Sequence, residues 1–305
     1  MRIAIIGIGG VGGYFGGKLA RAYAGSEKHE IIFVARGEHL RTIQQKGLQL
    51  LTREGDYVAW PNIATDQPDI AGPFDLAFFC VKSYALESSA RLLTGNITKE
   101  TVVIPLLNGV DNAERLRAVL PHADVISGSC YIISHIEKPG VIHQENGACK
   151  LTFGTDDSES IQKYAPVLDI LSQANIKAVL TDKISEALWI KFLLMCPLAS
   201  LTSSTGKTYG EIWTDAELRK KARDLMIEVV AVARARNILL AEDAVDKTME
   251  MVARFGHNFK TSMQLDREKG NQTEIDTLTA FLCRAGRESG IPTPLHDEAY
   301  RQLIS

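Results

Sequence analysis

Gly7-Ile8-Gly9-Gly10-Val11-Gly12 follows a short β-branched run, Arg2–Gly7, and opens a helical stretch, Gly12–Tyr23. The spacing is G-x-G-x-x-G, and each glycine has a task in it. The first permits a tight turn off the strand. The second lets a pyrophosphate approach the backbone, and the third lets helix and strand pack closely. The N-terminus of the helix then offers N–H groups and partial positive charge to phosphate oxygens. A ligand-free glycine turn is the bland alternative, but the strand–loop–helix context favours dinucleotide binding by all six residues. The second apolar run, Ile31–Ala35, ends in Arg36. Sites that read a ribose 2′-hydroxyl usually place Asp or Glu there, whereas a guanidinium grips a 2′-phosphate with two hydrogen bonds. Arg36 therefore predicts NADP rather than NAD.

Two further polar residues stand where strands should end. Leu76–Val81 runs into Lys82, and Val102–Leu107 runs into Asn108-Gly109. A lysine after a buried strand often just reaches solvent, and Asn-Gly is often just a turn. In an open α/β sheet, however, ligands bind beyond the carboxyl ends of the strands. Lys82 there predicts a charge beside the ribose or phosphates. Asn108 predicts amide hydrogen bonds to both cofactor and substrate.

These groups need a scaffold, and the first half of the chain supplies one. Strand-like runs (Arg2–Gly7, Glu30–Ala35, Asp75–Val81, Thr101–Leu106, Val125–Cys130) alternate with amphipathic stretches, as in a parallel sheet covered on both faces. Val141–Gln144 and Cys149–Gly154 read as an antiparallel extension, and Lys177–Leu180 as a last short strand. Beyond about Asp182 the pattern turns helical: Ile184–Thr202 with a kink or break at Pro197, Ala216–Arg236, Ala241–Phe255 and Thr261–Lys269. A final helix is expected over Thr273–Glu288, with Thr273 as N-cap and Asp276 completing a weak capping box. The fold class is thus α/β, a Rossmann domain over residues 1–181 followed by an all-helical domain over 182–305.

Composition narrows the function classes. The 305 residues carry a formal net charge of -3, which gives no support to nucleic-acid binding. Five scattered cysteines without a C-x-x-C pair read as free thiols, which favours a reducing cytoplasm. The apolar run Ile3–Ile8 is too short for a signal peptide, and the expectation is no membrane span. The seven histidines show no H-x-x-x-H spacing, so no metal is expected.

Taken in order, Gly7–Gly12, Val34-Ala35-Arg36-Gly37, Val81-Lys82, Asn108-Gly109, Trp189-Ile190-Lys191 and Thr273-Glu274-Ile275-Asp276 resemble the ketopantoate reductase (2-dehydropantoate 2-reductase) family along the whole chain. The resemblance implies a 6-phosphogluconate-dehydrogenase-like helical second domain and an active site in the cleft between domains. It also implies NADPH-dependent reduction of 2-dehydropantoate to pantoate, in pantothenate and coenzyme A synthesis, and leaves room for a homodimer. By resemblance Lys191 is the general acid that protonates the alkoxide left by hydride transfer. Its apolar neighbours, Trp189–Leu194, give it reason to be desolvated, which would lower a lysine pKa. Glu274 matches a catalytic glutamate that contacts the substrate hydroxyl and the cofactor, and Ser262 matches a serine that binds the substrate carboxylate, with Asp266 a turn later.

The chain departs from the family pattern at the substrate. Where asparagines are common one and two turns after the catalytic lysine, it has Met195 and Ala199. Tyr209 and Phe259 replace two more, although Asn258 adjoins the latter. Met195, Ala199 and Tyr209 are kept as substrate-site positions, now more apolar ones. The alternatives are reduction of a different, more apolar 2-oxo acid, or an NADP-sensing protein without turnover.

Overall fold

The run after Met1 forms β1 (Arg2–Ile6), with Ile3, Ala4 and Ile5 wholly excluded from solvent. A computed structural model describes the chain from Met1 to Ser305, the side chain of Asn146 aside. After β1 come α1 (Gly10–Ala22), β2 (Glu30–Val34) and α2 (Gly37–Lys46). Three short strands follow, β3 (Leu48–Leu51), β4 (Tyr57–Ala59) and β5 (Ile63–Thr65). Then come β6 (Leu76–Phe79), α3 (Leu86–Arg91), β7 (Val102–Pro105), α4 (Asn112–Val119) and β8 (Asp124–Val125).

Six of these strands make one parallel sheet, ordered β5-β2-β1-β6-β7-β8. Counted along the chain within that sheet, the order is 3-2-1-4-5-6, the doubly wound arrangement. Its direction of winding reverses between β1 and β6. That reversal opens a crevice at the carboxyl ends, and the glycine loop leaves β1 at this point.

The chain then builds β9 (Ser127–Lys138), β10 (Val141–Gly154), α5 (Ala165–Gln173) and β11 (Lys177–Thr181). A second sheet, β11-β10-β3-β4 with β9 against β10, results. The sequence reading missed β3, β4 and β5 altogether. It also fused two elements at Val125–Cys130: Asp124–Val125 ends the first sheet, and Ser127 begins the second. α1 lies between the sheets. A Cβ on Gly16 would meet Ile5 and Phe33 of the first, whereas Cβ atoms on Gly13 and Gly17 would meet Ile142 and Leu50 of the second. Absent side chains let two sheets close on one helix.

The remaining elements are α6 (Ile184–Thr205), α7 (Tyr209–Thr214), α8 (Ala216–Ala235), α9 (Ala244–Val252), α10 (Ser262–Glu268), α11 (Thr279–Glu288) and α12 (Pro294–Ile304). The chain divides into two compact units, Met1–Leu107 with Asp111–Ile184, and Asn108–Val110 with Ser185–Ser305. The Asn108–Val110 turn thus groups with the helices.

Three expectations need correction here. α6 is not broken at Pro197 but runs on to Thr205. Proline costs a helix interior about 3 kcal/mol. Burial of Leu193, Cys196, Leu198, Ala199 and Leu201 in one core offsets it. α6 is also long and apolar enough to cross a membrane, contrary to the expectation that no such segment exists; 72% of its most apolar stretch is buried within the protein. Finally, the helix expected from Thr273 starts at Thr279, and another helix, α12, follows it. Asp276 is exposed, and the Glu274 carbonyl accepts from Thr277 N and Leu278 N in a turn. Burial of Glu274, Thr277 and Leu278 holds that turn against the helical propensity of the segment.

One buried ionisable pair fastens the last helix. Glu228 of α8 accepts from Leu295 N at 2.8 Å, His296 N at 3.1 Å and His296 Nδ1 at 2.7 Å. The carboxylate thereby caps the N-terminus of α12, where the helix dipole favours negative charge. His296 has no exposed surface, and burial pulls its pKa below the usual histidine value despite the facing Glu228. Such a histidine resists protonation when folded and accepts a proton when unfolded. Stability should therefore be constant above about pH 6.5 and fall with pH between there and the depressed native value, by at most about 1.4 kcal/mol per pH unit. Urea unfolding from pH 8 to 5 should show a shallower acid-side slope in His296→Gln than in the parent; equal slopes would contradict this.

Candidate active site

The glycine loop has the geometry its spacing predicts. Gly7 sits at φ +92°, a left-handed value that glycine adopts without strain, and its N–H donates to the Val34 carbonyl at 2.9 Å. A Cβ on Gly12 would overlap the Gly7 carbonyl, so the third glycine lets α1 and the loop touch. At Gly9 a Cβ would meet nothing within 4 Å. That open side is where a phosphate can approach the backbone. Gly9 is also the N-cap of α1, with no side-chain cap and no acidic residue in the first turn. The first-turn N–H groups are thus left to an anion, and the loop fits a dinucleotide pyrophosphate.

Arg36 is exposed at the end of β2 and forms the N-cap of α2. Lys82 is exposed beyond β6, on the far side of the switch point from Gly7. A clamp that the sequence reading missed holds the turn after Lys82. Arg115 of α4 donates to both carboxylate oxygens of Glu87, at 2.7 and 2.9 Å, and to the Ser83 carbonyl at 2.7 Å. The guanidinium holds the Glu87 carboxyl below its usual pKa range. Glu87 and Arg115 lie 28 residues apart, so no local spacing announces the pair.

In the helical unit, Lys191 is 8% exposed, although a lysine is seldom so buried. Its neighbours Trp189 and Phe192 pack edge-on at 5.5 Å, and Phe281 of α11 meets Phe192 at 5.7 Å. Met195 and Ala199 follow at i+4 and i+8 on the same face of α6, Met195 half-buried and Ala199 buried. Glu274 is 5% exposed, and Asn108 Nδ2 donates to its Oε2 at 3.4 Å. Two residues 166 apart in sequence are thereby joined.

Tyr209 opens α7 and is buried between Phe255 and Phe259, at ring distances of 5.1 and 4.9 Å. Its N–H donates to the Phe259 carbonyl at 3.0 Å, and burial pushes its hydroxyl well above the ordinary tyrosine pKa. Phe255 was not anticipated. Ser262 is the exposed first residue of α10, and Asp266 is half-buried one turn later. The cap of α10 is Thr261, whose hydroxyl accepts from Gln264 N at 3.2 Å and bonds Thr202 of α6 at 2.8 Å.

A doubly wound sheet with its glycine loop at the switch point, followed by a helical unit with a buried lysine, defines the broad class of oxidoreductases. Comparison with known proteins narrows it. Residues 3–158 match the ketopantoate reductase PanE/ApbA family, and residues 183–304 match the ketopantoate reductase PanE/ApbA C-terminal family. The chain belongs to this family. A 2-dehydropantoate 2-reductase of Mesorhizobium japonicum is 27% identical, covering 97% of this chain and 95% of that protein. An uncharacterized oxidoreductase of Bacillus subtilis, YkpB, is 26% identical over 99% of this chain and 98% of its own. The crystal structure of a PanE/ApbA family ketopantoate reductase from Ralstonia eutropha superposes with a TM-score of 0.89 at 30% identity, covering 100% and 97% of the two chains.

Gly9 and Gly12 separate ligand space from folding space. Gly9→Ala should keep the parent's thermal midpoint yet weaken dinucleotide binding by about tenfold or more, since one methyl group occupies the phosphate approach. Gly12→Ala should lower the midpoint by several degrees, as overpacking costs about 1–3 kcal/mol. Calorimetric titration and thermal melts of both variants check this. Unweakened binding by Gly9→Ala would remove the loop from the cofactor site.

Proposed function

We propose that the chain catalyses NADPH-dependent reduction of 2-dehydropantoate to pantoate, the step that feeds pantothenate and coenzyme A synthesis. Membership of the family supports the reaction class. The observation that carries the assignment of residues is the burial of Lys191, 8% exposed on a largely buried apolar helix. NADPH, when bound, supplies hydride to the ketone carbon. Lys191 then donates the proton that the carbonyl oxygen needs and offsets the charge developing there. Glu274, held by Asn108, orients the substrate hydroxyl and the dinucleotide. Ser262 receives the substrate carboxylate. Gly7–Gly12 and Lys82 hold the phosphates and ribose, and Arg36 takes the 2′-phosphate. A cytoplasmic enzyme, working as a monomer or homodimer on a small 2-oxo acid, fits this reading.

A second substrate is favoured by a specific observation. Met195 and Ala199 extend the face of α6 that carries Lys191, and buried Tyr209 and half-buried Phe259 put rings where the family pattern has amides, with half-buried Phe255 packed against both. An apolar site discriminates weakly against small changes and gains from larger apolar side chains. A branched or aryl 2-oxo acid is the alternative substrate.

Loss of NADPH absorbance with a panel of 2-oxo acids decides between them. The highest kcat/KM for 2-dehydropantoate supports the first reading, and preference for a branched or aryl 2-oxo acid the second. No turnover of any would overturn both. Lys191→Ala should cut kcat by about 10²–10⁴ while NADPH affinity changes little, the range expected for a lost general acid. Arg36→Asp should shift the NADPH/NADH affinity ratio towards NADH by more than about tenfold, since a 2′-phosphate then meets like charge. An unchanged ratio refutes the Arg36 contact.

A further inference from the structure

The β9–β10 hairpin carries a cluster that the reduction does not use. The strands are antiparallel, and His143 stands opposite His135 in the register. Successive side chains on a strand alternate between faces, so His135 and Glu137 share a face with His143 and Glu145. The pairing slips between Gln144 and Asn146 and between Val141 and Ile142. Glu145 and Glu137 flank the histidine pair at those two irregular places. The imidazole rings lie 5.5 Å apart, edge to face. Glu137 Oε2 is 3.1 Å from His135 Nε2 and 3.7 Å from His143 Nδ1. On its other side, His135 Nδ1 lies 3.1 Å from Glu145 Oε1.

We propose that His135 Nε2, Glu137 Oε2 and His143 Nδ1 form a binding site for a divalent transition-metal ion of the zinc type, with Glu145 as its outer carboxylate. Zinc binds imidazole nitrogen at about 2.0–2.1 Å and carboxylate oxygen at about 2.0–2.2 Å in a tetrahedron. Two ligands of one tetrahedral ion are therefore about 3.3–3.5 Å apart, the edge of that figure. The separations of 3.1 and 3.7 Å bracket this edge, and the three donor atoms lie within 4.8 Å of one another. Side-chain exposures of 45, 49 and 41% leave room for the small rotations that convergence needs. The fourth position falls to water.

Glu145 strengthens the case. A histidine that binds metal usually donates its other ring N–H to a carboxylate, which fixes the tautomer and aims the lone pair. With Nδ1–H on Glu145, the lone pair of His135 Nε2 faces Glu137 and His143. Two imidazoles beside one carboxylate select zinc, cobalt, nickel or copper over calcium or magnesium, which prefer oxygen. As mere ion pairs these exposed groups would contribute about 0–1 kcal/mol each. The hairpin also borders the glycine loop: a Cβ on Gly10 would overlap the Ser134 carbonyl and lie 3.0 Å from His135 N. An ion on His135 would pin the backbone that walls the start of α1.

The test uses untagged full-length protein, stripped by chelator and titrated calorimetrically with zinc chloride. One ion per chain at micromolar or lower Kd is expected, with a rise in thermal midpoint. Cobalt in its place should give the visible bands of a tetrahedral nitrogen–oxygen site, and zinc should shift the His135 and His143 ring resonances in the unaltered chain. His135→Ala and His143→Ala should each weaken zinc at least tenfold, and Glu145→Gln by about 10–100-fold at unchanged stoichiometry. Binding only at millimolar zinc, or tight binding that survives His143→Ala with unshifted ring resonances, would overturn the proposal. Neither readout depends on turnover.

Discussion

The close approach of two sheets to one helix governs the first unit. α1 could not carry ordinary side chains on both faces and still touch β1 and β2 on one side and β3 and β10 on the other. Gly13, Gly16 and Gly17 remove the obstruction, and Ile5, Phe33, Leu50 and Ile142 fill the space. Interiors pack as densely as organic crystals, so a helix held this way has little freedom to slide. Its N-terminus is consequently fixed at the switch point between β1 and β6. Phosphate binding at that end would draw chiefly on backbone N–H groups, and backbone is held only as well as its surroundings. The stripe of glycines thus serves folding and ligand approach through one property, the missing Cβ.

The helical unit solves a different problem, a cation within a core. α6 is apolar over most of its surface, continues through Pro197, and still carries Lys191. Side chains on α11, notably Phe281, close over Trp189 and Phe192, and Ser200 bonds Thr279 at 2.7 Å where α11 begins. That bond and the buried turn at Glu274–Leu278 set the start of α11. Glu274 therefore sits in a turn rather than on a helix. Its backbone is held by the two N–H groups that its carbonyl accepts, and its carboxylate accepts from Asn108, so its place is not set by rotamer choice along a helical face.

This explains what could be read in advance. The parallel sheet was legible because buried strands are continuous apolar runs, and Gly7–Gly12 because a required φ and a required vacancy select one residue type. β3 and β4 were illegible: Leu48–Leu51 and Tyr57–Ala59 are too short to show a period, and only pairing, of β3 with β10 and of β4 with β3, makes them strands. The Thr273 cap failed because burial of Thr277 and Leu278 outweighed local propensity. The Arg115–Glu87 clamp and the His135–His143 pairing arise from contacts between elements, and no one-dimensional spacing records them.

The two ends of the proposed reaction differ in the same way. The proposed dinucleotide recognition rests on backbone and a few charges, and the glycine loop it needs is present at 27% identity to a 2-dehydropantoate 2-reductase. Substrate recognition rests on side chains, which change without disturbing the fold. Met195 is only half-buried, whereas Ala199 and Tyr209 belong to the helical core, so exchange there requires neighbouring side chains to repack. A buried amide left without its partner costs about 1–3 kcal/mol, whereas a methylene or ring in its place costs the fold nothing. For the alternative substrate proposed above, with fewer polar groups, the apolar choice is the stabler one. The rings of Tyr209, Phe255 and Phe259 pack within 5.1 Å of one another.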